Sequence, residues 1–254
     1  MSMPNPAERC RCPFSFPDGD DLPIQDELPD PFTRLDGRTI SSRREWEEQR
    51  SYLKAMLSHY QYGHMPPKPD HAEYGQKQPT VVFGGLGLRT ELFATVSGNG
   101  HSIRLRADVV TPCGEGPFPV IVKNDRVLFL AGDNRGASGF SEPIRRGIRY
   151  DEEILPKALR SGYAMCKFVR TDLAADVRDN RSTGIFPLYP EFDWGTIGAW
   201  AWGYGLVIDI LAAMPVIDSG KIVATGHSRG GKAALCASIF DERIALAAPN
   251  SSGT

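Results

Sequence analysis

A serine lies at the centre of the pentapeptide Gly226-His227-Ser228-Arg229-Gly230, which fits the pattern G-x-S-x-G. The apolar run Ile222-Val223-Ala224 precedes the pentapeptide, and an alanine-rich helical pattern follows it from Lys232. A strand, a sharp turn and a helix form the context in which this pattern is a nucleophile elbow, with the serine oxygen exposed above the sheet. The free N–H groups and the positive end of the following helix would favour an oxyanion at that place. The stretch therefore predicts Ser228 as a nucleophile.

The same residues allow two other interpretations. Residues 226–232 also fit G-x-x-x-x-G-K, which is a nucleotide-binding P-loop up to its last position. That motif needs Ser or Thr next, to hold Mg²⁺, whereas this chain has Ala233 there. The third interpretation is a glycine-rich turn with a chance serine, because pentapeptides of this kind are common. The missing hydroxyl argues against nucleotide binding, and ATP with Mg²⁺ is not expected to bind.

The composition is that of an ordinary globular protein. The chain has 254 residues, of which 41% are hydrophobic and 24% charged, with a net charge of −2. This length suffices for one large α/β domain with its own core. The near-neutral charge gives no reason to expect nucleic acid or an anionic membrane as partner. No apolar run is as long as a transmembrane helix, and the first residues lack the apolar core of a signal peptide, so the localisation stays unknown.

The five cysteines do not indicate a disulfide framework, because their number is odd and their spacing irregular. Cys10 and Cys12 lack a second close pair, so we expect no zinc site. Cys166 and Cys236 lie in apolar stretches, which indicates small core residues. The sequence therefore implies no metal.

The first part of the chain is predicted to be an extended arm followed by one helix. Residues 1–35 are rich in proline and aspartate and have no sustained period, which favours an extended N-terminal arm. Ser42 can cap a helix, and Glu45 completes a capping box. The helix should end near Gly63. His59 and His64 lack the i, i+4 spacing of paired metal ligands and are interpreted as surface or packing residues.

The alternation of residues from about 80 onward predicts an α/β sheet. Residues 86–96 and 103–110 alternate around the hairpin signal Gly98-Asn99-Gly100, and 118–122 form a buried strand. Long loops are predicted at 124–149 and 170–193, helices at 151–159 and 196–214, and strands at 163–169 and 244–248. We expect a three-layer α/β-hydrolase-type sheet, mainly parallel with antiparallel opening strands, in one domain over residues 36–254. Its site should lie at the carboxyl ends of the strands.

Several stretches together resemble one family, the bacterial glucuronoyl esterases, which are α/β-hydrolases of carbohydrate esterase family 15. Related proteins are often labelled acetyl xylan esterases. The resemblance runs from roughly residue 30 to the end of the chain. The residues that carry it are Asp193-Trp194-Gly195, Ala199-Trp200-Ala201-Trp202-Gly203 and Gly226-His227-Ser228-Arg229-Gly230-Gly231-Lys232, with weaker matches at Tyr62-Gly63-His64-Met65-Pro66-Pro67 and Gly162-Tyr163-Ala164.

The resemblance implies a role for three residues. Ser228 would be the nucleophile, Arg229 would stabilise the oxyanion through its backbone N–H and its guanidinium, and Lys232 would bond a hydroxyl of the uronic acid. One preorganised donor at an oxyanion typically contributes about 10²–10³ in rate. The alternatives are an ion pair on the following helix for Arg229 and a solvated side chain for Lys232. The implied substrate is an ester of glucuronic acid in xylan or lignin–carbohydrate material, and no metal or organic cofactor is implied.

A serine nucleophile also needs a base, usually histidine, and a carboxylate that orients it. In this fold both follow the serine in the chain, but no histidine follows Ser228. The side chain of His227 should point away from the serine oxygen, so no acid or base is assigned. We therefore expect an incomplete hydrolase, truncated before its last strands and with negligible activity as an isolated fragment. An unpaired last strand would favour self-association through its edge.

Two further functions stay open from the sequence. Within enzymes, the elbow alone does not exclude an acetyl xylan esterase-type acyl esterase. From another class, the chain could be a non-catalytic carbohydrate-binding or interaction remnant that kept the elbow without its base. Comparing hydrolysis of methyl glucuronate with that of an acetylated sugar would separate the two esterases.

Overall fold

The computed structural model describes residues 13–34, 36–69, 71–128 and 142–253. Cys10, Cys12 and the first residues of the predicted arm lie outside this range, as does the middle of the loop predicted at 124–149. The chain divides into two compact units, Met1–Pro66 with Glu191–Gly195, and Pro67–Pro190 with Thr196–Thr254. The boundary at residue 35 between an arm and a hydrolase domain stays a prediction.

The first unit is built on helix α1, Arg43–Leu57. The Ser42 hydroxyl accepts a hydrogen bond from the Glu45 N–H at 3.3 Å, as the capping signal predicts. The Glu45 carboxylate accepts from the Ser41 N–H at 2.8 Å rather than from that of Ser42. A π-helical turn, Ser58–Tyr62, continues the helix, and Gly63 ends it with a φ of 76°. The predicted end near Gly63 is confirmed.

The second unit contains one sheet. Among the described residues its strands are β1 Ala72–Gln76, β2 Thr80–Val82, β3 Gly87–Gly98, β4 His101–Pro112, β5 Phe118–Asn124, β6 Ala164–Phe168, β7 Ile217–His227 and β8 Ile244–Asn250. They lie in the order β1-β3-β4-β6-β5-β7-β8, with β2 also beside β3. Strands β1, β2 and β4 each pair antiparallel with β3, β4 pairs antiparallel with β6, and β6, β5, β7 and β8 run parallel. This is the predicted parallel sheet with antiparallel opening strands.

The hairpin between β3 and β4 forms at the predicted place. Its two tip residues, Asn99 and Gly100, have φ values of 50° and 74°. Two consecutive positive φ values match the right-handed twist of the strands, and Asn-Gly adopts them readily. The twelve-residue strands then pair from Gly98 with His101 to Gly87 with Pro112.

Three α-helices complete the described part of this unit: α2 Glu142–Arg160, α3 Thr196–Ala212 and α4 Arg229–Phe240. The prediction that a helix begins only at residue 151 is wrong, since α2 already begins at Glu142. Gly147 and Pro156 inside the helix lower its intrinsic propensity and obscure its pattern. Leu155 and Leu159, which are buried against Val110 and Met165, supply the packing that outweighs this propensity.

Strand β6 shows that helices cover both faces of the sheet. Lys167 bonds Asp151 of α2 at 2.8 Å, whereas the ring of Phe168 meets the ring of Tyr204 on α3 at 4.9 Å. Successive residues of a strand point to opposite faces, so α2 and α3 lie on opposite sides. The predicted three-layer arrangement is confirmed.

The burial of the cysteines and the character of the helices can be compared with the sequence. Cys166 and Cys236 are buried, as predicted, while Cys113 is exposed. In the described ranges, no helix combines the length and the apolar character that crossing a membrane requires.

Candidate active site

Ser228 occupies the junction between β7 and α4. Its φ of 54° and ψ of −123° lie in a region that favours glycine, and holding a side chain there costs about 1–3 kcal/mol. The Ser228 N–H donates to the carbonyl oxygen of Asn250 on β8 at 2.9 Å, and the Ser228 carbonyl accepts from Gly231 and Lys232. The neighbouring strand and the helix therefore hold the strained turn from both sides.

The three glycines around Ser228 are required by close contacts. A Cβ on Gly226 would overlap the carbonyl oxygen of Gly230, and one on Gly231 would lie 2.7 Å from the Cβ of Ser252. A Cβ on Gly230 would overlap Oδ1 of Asn124, whose Nδ2 donates to the Gly230 carbonyl at 2.9 Å. Glycine thus allows β7, α4 and the end of β5 to approach one another closely.

The hydroxyl of Ser228 is available for chemistry. It makes no capping hydrogen bond to α4 and has no hydrogen-bond partner in the described part of its own unit. Within the same described part, the N–H groups of Arg229 and Gly230 have no acceptor either, as expected for the first turn of a helix. A free oxygen thus lies beside free donors at the positive end of α4, which suits a developing oxyanion.

The guanidinium of Arg229 forms an ion pair with the carboxylate of Asp176. Nη1 of Arg229 lies 2.7 Å from Oδ1 of Asp176, which belongs to the loop after β6. The side chain of Arg229 remains 62% exposed. Arg229 therefore forms an ion pair, as the alternative interpretation of the sequence expects. Its partner, however, lies on a loop rather than on the following helix.

Ser228 and Arg229 line one cavity of about 1060 Å³. Asn124, Asp125 and Asn250 line it from the ends of β5 and β8, so it opens at the carboxyl edge of the parallel strands. Burial alone would raise the pKa of Asp125, but the charges of Lys167, Lys123 and Arg126 outweigh burial and lower it. Asp125 is therefore a fixed anion at the cavity wall.

Lys232 is not among the described residues that line this cavity. It is half-buried on the first turns of α4. The structure therefore brings Ser228 and Arg229 together but does not bring Lys232 to the same cavity, and its contact with a sugar hydroxyl stays a prediction.

Three of the five histidines have partners other than the nucleophile. Nδ1 of His227 lies 2.7 Å from Oδ1 of Asn250, so the ring is engaged beside β8. In the first unit, Nδ1 of His64 lies 2.9 Å from Oδ1 of Asp193, and the ring of His59 stacks on Phe16 at 5.2 Å. In the described part of the Ser228 unit, neither a histidine nor a carboxylate bonds the hydroxyl. No group of three or more His, Cys, Asp or Glu that could hold a metal occurs among the described residues.

Three residues near the site were missed by the sequence interpretation: Asn124, Arg170 and Asp176. Asn124 ends β5, and Arg170 follows the residue after β6, so their positions at strand ends were a usable signal. Asp176 lies within an irregular loop, where no local pattern indicates which side chain it will meet. Its pairing with Arg229 depends on the tertiary structure alone.

Comparison with known proteins assigns the chain to a family. A sequence model described as "Glucuronyl esterase, fungi" matches residues 94–254. The chain belongs to the glucuronyl esterase family. Within this family, a protein of Phanerochaete carnosa named 4-O-methyl-glucuronoyl methylesterase is 29% identical over 96% of this chain and 52% of its own length.

Solved structures of glucuronoyl esterases share the fold. A carbohydrate esterase family 15 enzyme from Teredinibacter turnerae is 26% identical with a TM-score of 0.71, covering 87% of this chain and 55% of that one. A mutant of the Sporotrichum thermophile glucuronoyl esterase in complex with methyl 4-O-methyl-β-D-glucopyranuronate is 26% identical with a TM-score of 0.61. The match covers 89% of this chain and 53% of that one. The chain thus spans about half the length of the glucuronyl esterases that it matches.

Proposed function

We propose that the protein is a serine carboxylic-ester hydrolase that cleaves esters of glucuronic acid in xylan or lignin–carbohydrate material. One observation carries this proposal: the strained Ser228 and its neighbour Arg229 line one strand-end cavity, and among the described residues of the unit the Ser228 hydroxyl and the first N–H groups of α4 have no hydrogen-bond partner. Membership of the glucuronyl esterase family supports the substrate class.

The reaction would proceed through an acyl-enzyme. Oγ of Ser228 attacks the ester carbonyl carbon and gives up its proton to a base, and the carbonyl oxygen becomes an oxyanion. The N–H of Arg229 and its guanidinium stabilise that oxyanion. The alcohol leaves with a proton as the carbonyl re-forms, and water then releases the uronic acid from Ser228. No base is assigned, because no described residue of this unit bonds the Ser228 hydroxyl.

Lys232 is proposed as the ligand of a uronic-acid hydroxyl. It follows Ser228 by one helical turn, and its N–H donates to the Ser228 carbonyl at 3.1 Å, so its backbone is fixed relative to the nucleophile. A role in sugar binding would affect KM more than kcat, since the hydroxyl contact exists in both the ground state and the transition state.

The proposal is tested by hydrolysis of methyl 4-O-methyl-glucuronate with the protein expressed at its full natural length. Ser228→Ala should lower kcat/KM by at least about 10³, and Arg229→Gln should lower kcat by about 10². Lys232→Met should raise KM several-fold, whereas Lys221→Met, which removes an exposed lysine from β7, should leave both constants unchanged. The same assay on residues 1–254 alone tests the expectation that this stretch by itself has negligible activity.

The control substrate is an acetylated xyloside. Turnover of the acetylated sugar without turnover of the glucuronate ester would replace the proposal by the acyl-esterase alternative. Binding of xylo-oligosaccharides with no hydrolysis of either ester would favour the non-catalytic interpretation instead. Equal rates for the wild type and Ser228→Ala would contradict the assignment of the nucleophile.

A further inference from the structure

The backbone immediately before Asp176 is fixed by two buried donors. The indole N–H of Trp200 donates to the carbonyl oxygen of Ala174 at 2.8 Å. Nδ2 of Asn180 donates to the carbonyl oxygen of Ala175 at 2.6 Å and lies 3.0 Å from the Thr196 hydroxyl. Trp200 is fully buried and Asn180 nearly so, so these bonds are shielded from water. The loop thus presents Asp176 in a defined position.

The carboxylate of Asp176 lies between two arginines that differ in exposure. One oxygen lies 2.7 Å from Nη1 of Arg229, and the other lies 3.9 Å from Nη2 of Arg170. The guanidinium of Arg170 is 4.5 Å from the ring centre of Trp200, and its Nη1 donates to the Asn124 carbonyl at 3.0 Å. Arg170 is thereby held in place, whereas the side chain of Arg229 is largely exposed.

We propose that Asp176 is a positioning residue that holds the guanidinium of Arg229 beside Ser228. This inference rests on the proposed esterase function. A donor stabilises a developing charge most when it is oriented before the reaction, because it then costs no reorganisation in the transition state. An exposed arginine without a fixed partner samples many rotamers, and ordering it would oppose catalysis in every turnover.

The ion pair leaves Arg229 able to serve an oxyanion. In the described part of the unit, only Nη1 of Arg229 is engaged, so the N–H groups on Nη2 and Nε remain available as donors. Asp176 interacts with Arg170 through its second oxygen, which keeps part of its charge directed away from Arg229. The arrangement therefore orients the cation without occupying all of its donors.

The test compares two aspartates of the same loop in the protein of full natural length. Asp176→Asn should lower kcat for methyl 4-O-methyl-glucuronate by about tenfold with KM changed by less than about twofold. The matched control is Asp172→Asn, because Asp172 forms an equally short ion pair, 2.7 Å to Arg106, away from Arg229. This control should change kcat by less than about twofold, and Asp176→Glu should restore part of the loss.

A double-mutant cycle separates positioning from general damage to the loop. In an Arg229→Gln background, Asp176→Asn should cause no further fall in kcat, since the group that it positions is already gone. A full additional loss in that background, or an unchanged or higher kcat in Asp176→Asn alone, would overturn the inference while leaving the esterase function intact. A wild type that is no more active than Ser228→Ala would instead overturn the proposed function, and the inference with it.

Discussion

Replacing Ser228 with glycine should stabilise the fold relative to replacing it with alanine. Both variants lose the hydroxyl, which makes no capping bond, so they differ only in the Cβ that alanine keeps. At φ 54° and ψ −123° that Cβ is strained by about 1–3 kcal/mol. The greater freedom of glycine in the unfolded chain offsets about 0.4–1 kcal/mol of the gain. From the middle of both ranges, the free energy of unfolding of Ser228→Gly should therefore exceed that of Ser228→Ala by about 1 kcal/mol.

Ser238 supplies the matched control, because it lies in the regular part of the same helix and its hydroxyl donates to the Leu235 carbonyl at 2.8 Å. There glycine should be less stable than alanine by about 1 kcal/mol, the ordinary helix-propensity difference. Glycine should thus be more stable than alanine at position 228 and less stable than alanine at position 238.

Urea unfolding followed by the fluorescence of the buried tryptophans measures both pairs of variants. The comparison uses midpoints at unchanged m-values, so that the difference reports the folded state and not a change in the surface exposed on unfolding. If Ser228→Gly were no more stable than Ser228→Ala, the strain in the turn would be no larger than the entropic cost of glycine, and the account of the elbow given above would be wrong.

Three further predictions concern other parts of the chain. Gly230→Ala should lower the free energy of unfolding by about 1–3 kcal/mol, because its Cβ would overlap Oδ1 of Asn124. Gly205→Ala on α3, whose Cβ would meet neighbours at an ordinary 3.7 Å, should instead be neutral or stabilising in the same urea assay. Partial burial opposes ionisation of Asp193, but the donors of His64 outweigh burial and lower the pKa of this carboxyl below its ordinary value, so the ionised carboxylate stabilises the fold at pH values above that ordinary pKa. The stability gap between wild type and Asp193→Asn should close as the pH falls through the lowered pKa, and a gap that stayed constant to pH 2 would contradict the pairing. Brief alkylation followed by peptide mapping should modify the exposed Cys113 and spare Cys166 and Cys236, since burial raises the pKa of both thiols; equal modification of the three would refute their placement.

The features that the sequence predicted correctly depend on local chemistry. Ser42 caps α1, Asn99 and Gly100 turn the β3–β4 hairpin, and the glycines around Ser228 permit the elbow. In each case a few adjacent residues are sufficient, because the conformational preference belongs to the side chain or to its absence. The order of strands and helices then followed from their periodicity.

The features that it missed depend on contacts between distant segments. Lys167 lies within a buried strand, and its pairing with Asp151 of α2 and with Asp125 after β5 makes that position tolerable for an ammonium group. The pairing of Arg229 with Asp176 likewise depends on distant segments, since no local sequence pattern around either residue indicates its partner. The early start of α2 shows the complementary effect, in which tertiary packing overrides a weak local propensity.

The hydrogen bonds that hold the elbow have a consequence for the order of folding. The Gly230 carbonyl accepts from Asn124, 106 positions earlier in the chain, and the Ser228 N–H donates to Asn250 at the end of β8. A turn that is intrinsically unfavourable cannot nucleate structure, so it should take its final shape only after β5, β7 and β8 have come together. On the ribosome, the segment that carries the nucleophile would then adopt its strained conformation only after β8 has emerged.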